Sequence, residues 1–139
     1  MTPAPPTTAT ADWIVECVGN ADFVGLAPRY AENVLLDVSA PKWRAQLQGR
    51  ASAAQSLAED TEMLPNVRTG WSRATIGADT VVVEYELRWD DPEGEALSRA
   101  VSVFRLDGDE IVEHRDYSCG AWSPADIAKN IAEAPIIHW

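Results

Sequence analysis

Val67–Ile76, Thr80–Trp89, Leu97–Leu106 and Glu110–Ser118 read as four successive strands, separated by Gly77-Ala78-Asp79, by residues 90–94 and by Asp107-Gly108. Strands this long joined by connections this short pair with their sequence neighbours, so an antiparallel meander is expected. In Thr80–Trp89 the row Val81, Val83, Tyr85, Leu87 and Trp89 is apolar, while Val82, Glu84, Glu86 and Arg88 are mostly charged. The first row therefore faces a core and the second faces water. In the next strand Ala100, Ser102, Phe104 and Leu106 share the inner face, opposed by Arg99, Val101, Val103 and Arg105.

That inner row is small at its centre. Ala100 and Ser102 fill little volume beside Tyr85 and Leu87, which implies either a hollow or a closely approaching helix. Trp43, Tyr85, Trp89 and Trp122, with Ser102 and Phe104, are the candidates to line such a hollow. The hairpin Val103–Tyr117 adds chemistry, because His114 and Asp116 lie two apart on its second strand and point the same way, roughly 7 Å apart. Arg115 and Tyr117 take the other face.

The first half reads as helical. Trp13, Ile14, Cys17 and Val18 recur at helical spacing within residues 11–18, Gly19-Asn20 stops that helix, and Asp22 caps a second one running to about Ala31. Asn33–Val38 reads as a short buried strand ending at Ser39-Ala40-Pro41. Pro41–Gly49 is expected to be a loop carrying Trp43 and Arg44, and Arg50–Asp60 a surface helix. Ser123-Pro124-Ala125-Asp126 starts a last helix, which Pro135 ends. The apolar tail Ile136–Trp139 is expected to pack on something.

The 139 residues fit one domain, with residues 1–10 a disordered leader and residues 11–139 the folded unit. A net charge of −11 and a pI near 4.4 oppose a phosphate-backbone partner or an anionic membrane. No apolar run approaches the roughly 18 residues of a membrane span, and the N-terminus lacks a basic region and an apolar stretch. A cytoplasmic protein is expected. Cys17 and Cys119 sit in no redox or ligand pattern, and are expected to be reduced and buried; His114 and His138 are too isolated for a zinc site, so neither metal nor cofactor is expected.

Two helices, a short strand, a small helix and a meander ending in Ile111-Val112-Glu113-His114-Arg115-Asp116-Tyr117 resemble the nuclear transport factor 2-like superfamily, which includes SnoaL-like polyketide cyclases, limonene epoxide hydrolases and ketosteroid isomerases. The resemblance spans about residues 11–123, through the Asn20-Ala21-Asp22 break, the Asn33-Val34 strand entry, Gly49-Arg50 and Arg115-Asp116-Tyr117. It implies an α+β fold in which a cone-like, curved, mixed but largely antiparallel sheet wraps the N-terminal helices, with an apolar pocket at its wide end and homodimers common. It also implies that Asp116 is the acid on the last strand, and that Asp37 stands where ketosteroid isomerases carry a general base. The inward Arg and Asp of the epoxide hydrolases are replaced by Tyr85 and Leu87, the isomerase oxyanion acid falls near Ser102, and Cys119 replaces a common Asp.

Two functions follow as expectations. One is a cofactor-free cyclase, isomerase or dehydratase acting on a hydrophobic small molecule, with Asp116 as acid or base, His114 as its partner, Tyr85 as hydrogen-bond donor and Asp37 as a further candidate. The other is a non-catalytic small-molecule binding protein of the same fold, or an epoxide hydrolase with an altered site. An interaction role would instead show an exposed apolar patch built by Ile136, Ile137 and Trp139.

Overall fold

The computed structural model describes residues 8–137, and the side chains from Ala9 onward. Residues 1–7 of the expected leader, and His138 and Trp139 of the tail, lie outside that range. Helix α1 (Thr8–Gly19) starts earlier than its apolar spacing implies, and Thr10, assigned to the leader by sequence, is fully buried with its hydroxyl on the Asp109 carbonyl. Ala11, Ile14, Cys17 and Val18 form the buried stripe of this helix, while Trp13 is 38% exposed and donates from Nε1 to the Gly25 carbonyl.

α1 ends in a pair of nested bonds, Asp22 N–H to the Cys17 carbonyl (2.8 Å) and Ala21 N–H to the Val18 carbonyl (3.1 Å). Ala21 takes the left-handed backbone that this ending requires, at φ 54°. Asp22 does cap the next turn, through Gly25 N–H at 3.0 Å, but the expected second α-helix is only a 3-10 turn, Val24–Arg29. Pro28 removes an N–H from it, and the chain turns extended at Tyr30.

Strand β1 (Tyr30–Ala40) is therefore almost twice the strand expected from Asn33–Val38, and residues 41–49 are not a loop. Lys42, at φ 60°, makes a tight turn into β2 (Trp43–Gln48), which pairs antiparallel with β1 from Ala40↔Trp43 to Leu35↔Gln48. The polar row of β2 hid it, because an edge strand needs only one half-buried face. Helix α2 (Arg50–Glu62) follows, then β3 (Arg68–Ile76), β4 (Thr80–Asp91), β5 (Gly94–Asp107), β6 (Glu110–Trp122) and α3 (Pro124–Glu133). The meander matches expectation, and Ser123 and Asp126 form a reciprocal cap at the start of α3.

The six strands make one curved, unclosed sheet in the order β2-β1-β6-β5-β4-β3. Every pairing is antiparallel except β1 with β6, which joins the two halves of the chain through Leu36↔His114 and Val38↔Asp116. The concave face carries Leu36, Val81, Val83, Tyr85, Phe104 and Leu106, closed by Ile14 and Val18 of α1, Leu26 of the 3-10 turn, and Ala53 and Leu57 of α2. This is the α+β cone expected from the sequence. Among the described residues no helix is long and apolar enough to cross a membrane. Of the tail, Ile136 (40%) and Ile137 (89%) are exposed and do not pack as expected.

Ile14 has no exposed surface and seals the sheet from the α1 side. Ile14→Ala should cost about 2–5 kcal/mol, read as a lowered urea midpoint with unchanged slope; a loss under about 1 kcal/mol would mean that α1 does not close the core.

Candidate active site

At the wide end of the cone a cavity of about 120 Å³ opens between the helices and the concave face. Ala21 and Phe23 line it from the chain after α1, Leu36 and Val38 from β1, Tyr85 and Leu87 from β4, and His114 and Asp116 from β6. A further wall comes from Leu57, Asp60 and Thr61 at the end of α2, with Leu64 and Val67 beyond. Sequence reasoning missed that wall, although Leu57, Asp60 and Thr61 follow the i, i+3, i+4 spacing of one helix face.

The strand register explains how the polar groups converge. Ser102 stands directly opposite Asp116, and Phe104 opposite His114, on the same concave face. Asp116 Oδ1 accepts from Tyr85 Oη at 2.6 Å and from Ser102 Oγ at 2.7 Å. His114 meets Ser102 Oγ through Nε2 (3.0 Å) and Tyr30 Oη through Nδ1 (2.7 Å), and its ring stacks on Phe104 with centroids 4.2 Å apart. No described residue bonds Asp116 Oδ2, the oxygen left to the cavity.

Burial sets the protonation of this group. It raises the Asp116 pKa above the ordinary carboxylate range; hydrogen bonds from Tyr85 and Ser102 oppose the rise, and the Asp60 charge adds to it. Burial drives the His114 pKa from 6.5 down to about 3, so the imidazole is neutral at physiological pH. As the partner of Asp116, His114 is thus neutral, and it reaches Asp116 only through Ser102. Burial also raises the Tyr30 and Tyr85 phenols, which stay protonated as donors.

Other expected site residues lie elsewhere. Asp37 alternates with Leu36 and Val38, so it points to the convex face, where Arg44 (2.7 Å), Gln46 (3.0 Å) and Arg115 hold it. It cannot serve as a base in this cavity. Trp43 is 70% exposed on the edge strand β2, and Trp89 is buried on β4 beyond the cavity wall. Trp122 is half-buried beside α3 in a shallow outer depression that includes Cys119, which is exposed rather than buried. Ser102 and Phe104 are fully buried behind the wall, acting on Asp116 and His114 rather than forming the surface themselves. Among the described residues no three His, Cys, Asp or Glu side chains converge closely enough to hold a metal ion.

A curved, unclosed α+β sheet closed by helices is the cone fold of the nuclear transport factor 2-like class. The profile of the SnoaL-like domain family matches residues 11–114, and the chain belongs to that family. Solved structures agree on the fold. A SnoaL-like protein of Jannaschia sp. CCS1 is similar at 14% identity and TM-score 0.66, with 98% of each chain covered. A protein of ketosteroid isomerase-like fold from Catenulispora acidiphila, in complex with trimethylamine, is similar at 17% identity and TM-score 0.63, over 81% of this chain and 87% of that one. A phenazine biosynthesis-related protein from Pseudomonas aeruginosa is similar at 11% identity and TM-score 0.63, over 94% and 83%. No curated protein matches the chain.

The hydrogen bond from Arg44, with help from Gln46 and the Arg115 charge, lowers the Asp37 pKa from 3.8 to about 2. A depressed carboxylate stabilises the fold above its unfolded pKa, and that contribution disappears as pH falls through the folded value. Asp37→Asn should therefore be less stable than wild type at neutral pH, with the gap closing between pH 3.8 and about 2. Denaturant midpoints across that window test this, and a gap that persists unchanged at the acid end rejects it.

Proposed function

We propose that the protein is a cofactor-free enzyme that moves a proton within a small hydrophobic substrate, with Asp116 as the acid and base and Tyr85 as its hydrogen-bond donor. The observation that carries this reading is the free Asp116 Oδ2 at the floor of an apolar cavity. A carboxyl whose pKa burial has raised is a better match to proton transfer near neutral pH than an exposed one. Ionised Asp116 would take a proton from a carbon next to a carbonyl, the electron pair passing to the carbonyl oxygen. Return of the proton to another carbon gives an isomerase. Loss of a β-hydroxyl as water, carrying off the proton held by Asp116, gives a dehydratase, and attack of the enolate on a second carbonyl, whose alkoxide takes that proton, gives a cyclase.

The cavity narrows the substrate. An apolar cavity of roughly 150 Å³ accommodates benzene, so 120 Å³ suits a ligand on the scale of one ring. Asp60 and Asp116 line it and, among the described residues, no Lys or Arg does, which disfavours anionic substrates. A non-catalytic binding role is the second reading, favoured by the trimethylamine held in the Catenulispora acidiphila neighbour. The unpaired Cys17 and Cys119 support a reducing, cytoplasmic setting.

Deuterium exchange distinguishes enzyme from binder. Small cyclic ketones incubated in heavy water should exchange their α-protons faster with wild type than with buffer, and Asp116→Asn should lose about 100-fold or more of that rate while keeping affinity within several-fold. Binding of the same ketones without exchange above buffer would leave only the binding role.

A homodimer is proposed through the convex face, where Trp71 (36% exposed), Tyr117 (50%) and Val101 surround a depression flanked by Glu84 and Arg99. Sedimentation should show a dimer at micromolar concentration that Val101→Glu converts to monomer. Wild type that sediments only as monomer rejects the assembly.

A further inference from the structure

Tyr30, His114, Ser102, Asp116 and Tyr85 form one unbroken file of hydrogen bonds beneath the cavity, with contacts of 2.7, 3.0, 2.7 and 2.6 Å in that order. The directions of these bonds are not independent. A carboxylate only accepts, so Tyr85 and Ser102 both donate to Asp116 Oδ1. Ser102 has one hydroxyl proton; having given it to Asp116, it can only accept from His114. His114 therefore carries its proton on Nε2. The remaining lone pair of the neutral imidazole is on Nδ1, and the Tyr30 phenol donates to it.

Every proton in the file thus points toward Asp116. We infer that Tyr30, His114 and Ser102 are positioning residues that lock this direction, loading Asp116 Oδ1 with two donors and leaving Oδ2 as the one atom that trades a proton with a ligand. The lock begins at Tyr30, the first residue of β1, which reaches across the sheet to His114 on β6. Neither Tyr30 nor Ser102 lines the cavity, so both act through other side chains.

The surroundings resist reversal. His114 is 1% exposed and stacked on Phe104, so an imidazolium there would lose most of its hydration. The groups facing Asp116 are Tyr85 from β4, Ser102 from β5, His114 behind Ser102 on β6, and Asp60 from α2; among the described residues no cation lines the cavity. The ionised form of Asp116 therefore leans on its two donors, and withdrawing either makes it a weaker acid.

The test is made on the free protein, without substrate, so it stands or falls separately from the proposal of turnover. Nitrogen-15 NMR of His114 should show a protonated Nε2 and an accepting Nδ1 throughout the neutral range. Carbon-13 titration of the Asp116 carboxyl should show its midpoint rise by about one pH unit in Ser102→Ala, the worth of one hydrogen bond to a charged group. Ser102→Thr keeps the hydroxyl and should keep the wild-type midpoint. Tyr30→Phe should raise the midpoint in the same direction but by less, although Tyr30 does not touch Asp116, because Nδ1 then has no donor to hold the tautomer. A proton on Nδ1 in wild type overturns the inference without any variant having to fold. An Asp116 midpoint unmoved in both Ser102→Ala and Tyr30→Phe also overturns it.

Discussion

The parallel pairing of β1 with β6 is the constraint on which the rest of the molecule depends. Strands β3 to β6 follow one another as a meander and find their neighbours locally, but β1 reaches the sheet from the far end of the sequence. Its register, Leu36↔His114 and Val38↔Asp116, sets an apolar strand beside the polar row of β6. Without that neighbour His114 and Asp116 would lie on an edge strand open to water. With it, they sit in the middle of the sheet, under the helices.

Burial then converts ordinary side chains into a specialised group. An exposed Asp and His two residues apart would titrate near their usual values and attract each other through solvent. Here the His is held neutral and the Asp is made reluctant to ionise, by the same loss of hydration acting with opposite sign on an acid and a base. What reaches between them is a serine hydroxyl, and its single proton gives the contact a direction that a salt bridge would lack. The convex face works by the opposite logic. There Asp37 is surrounded by Arg44, Gln46 and Arg115, and its charge is compensated rather than suppressed.

Much of this is legible in the chain alone. Alternation in Thr80–Trp89 identifies the inward row to the residue, and the same rule places His114 and Asp116 on one face and Arg115 on the other. Tyr85 and Ser102 read as inward-facing, and both contact Asp116. Aromatic content misleads: Trp43, Trp89 and Trp122 suggest themselves for the hollow because they are large and apolar, yet none lines it. Resemblance misplaces Asp37, although its alternation with Leu36 and Val38 already argues for the outer face. The α2 wall escapes notice because that helix is polar over most of its surface and buries only Ala53 and Leu57 fully.

The sequence by itself determined the class of fold, the extent of the meander and the face on which each of its side chains lies, because those depend on a period of two and on short turns, which are local. It also put His114 and Asp116 on one face, while the family resemblance rather than alternation turned that face inward. Only the tertiary structure decided what state that acid would be in. The neutrality of His114, the reach of Tyr30 across β1 and β6, and the approach of Asp60 from α2 all depend on groups distant in sequence meeting in a space without water, and hydration lost at a site is a property of everything packed around it.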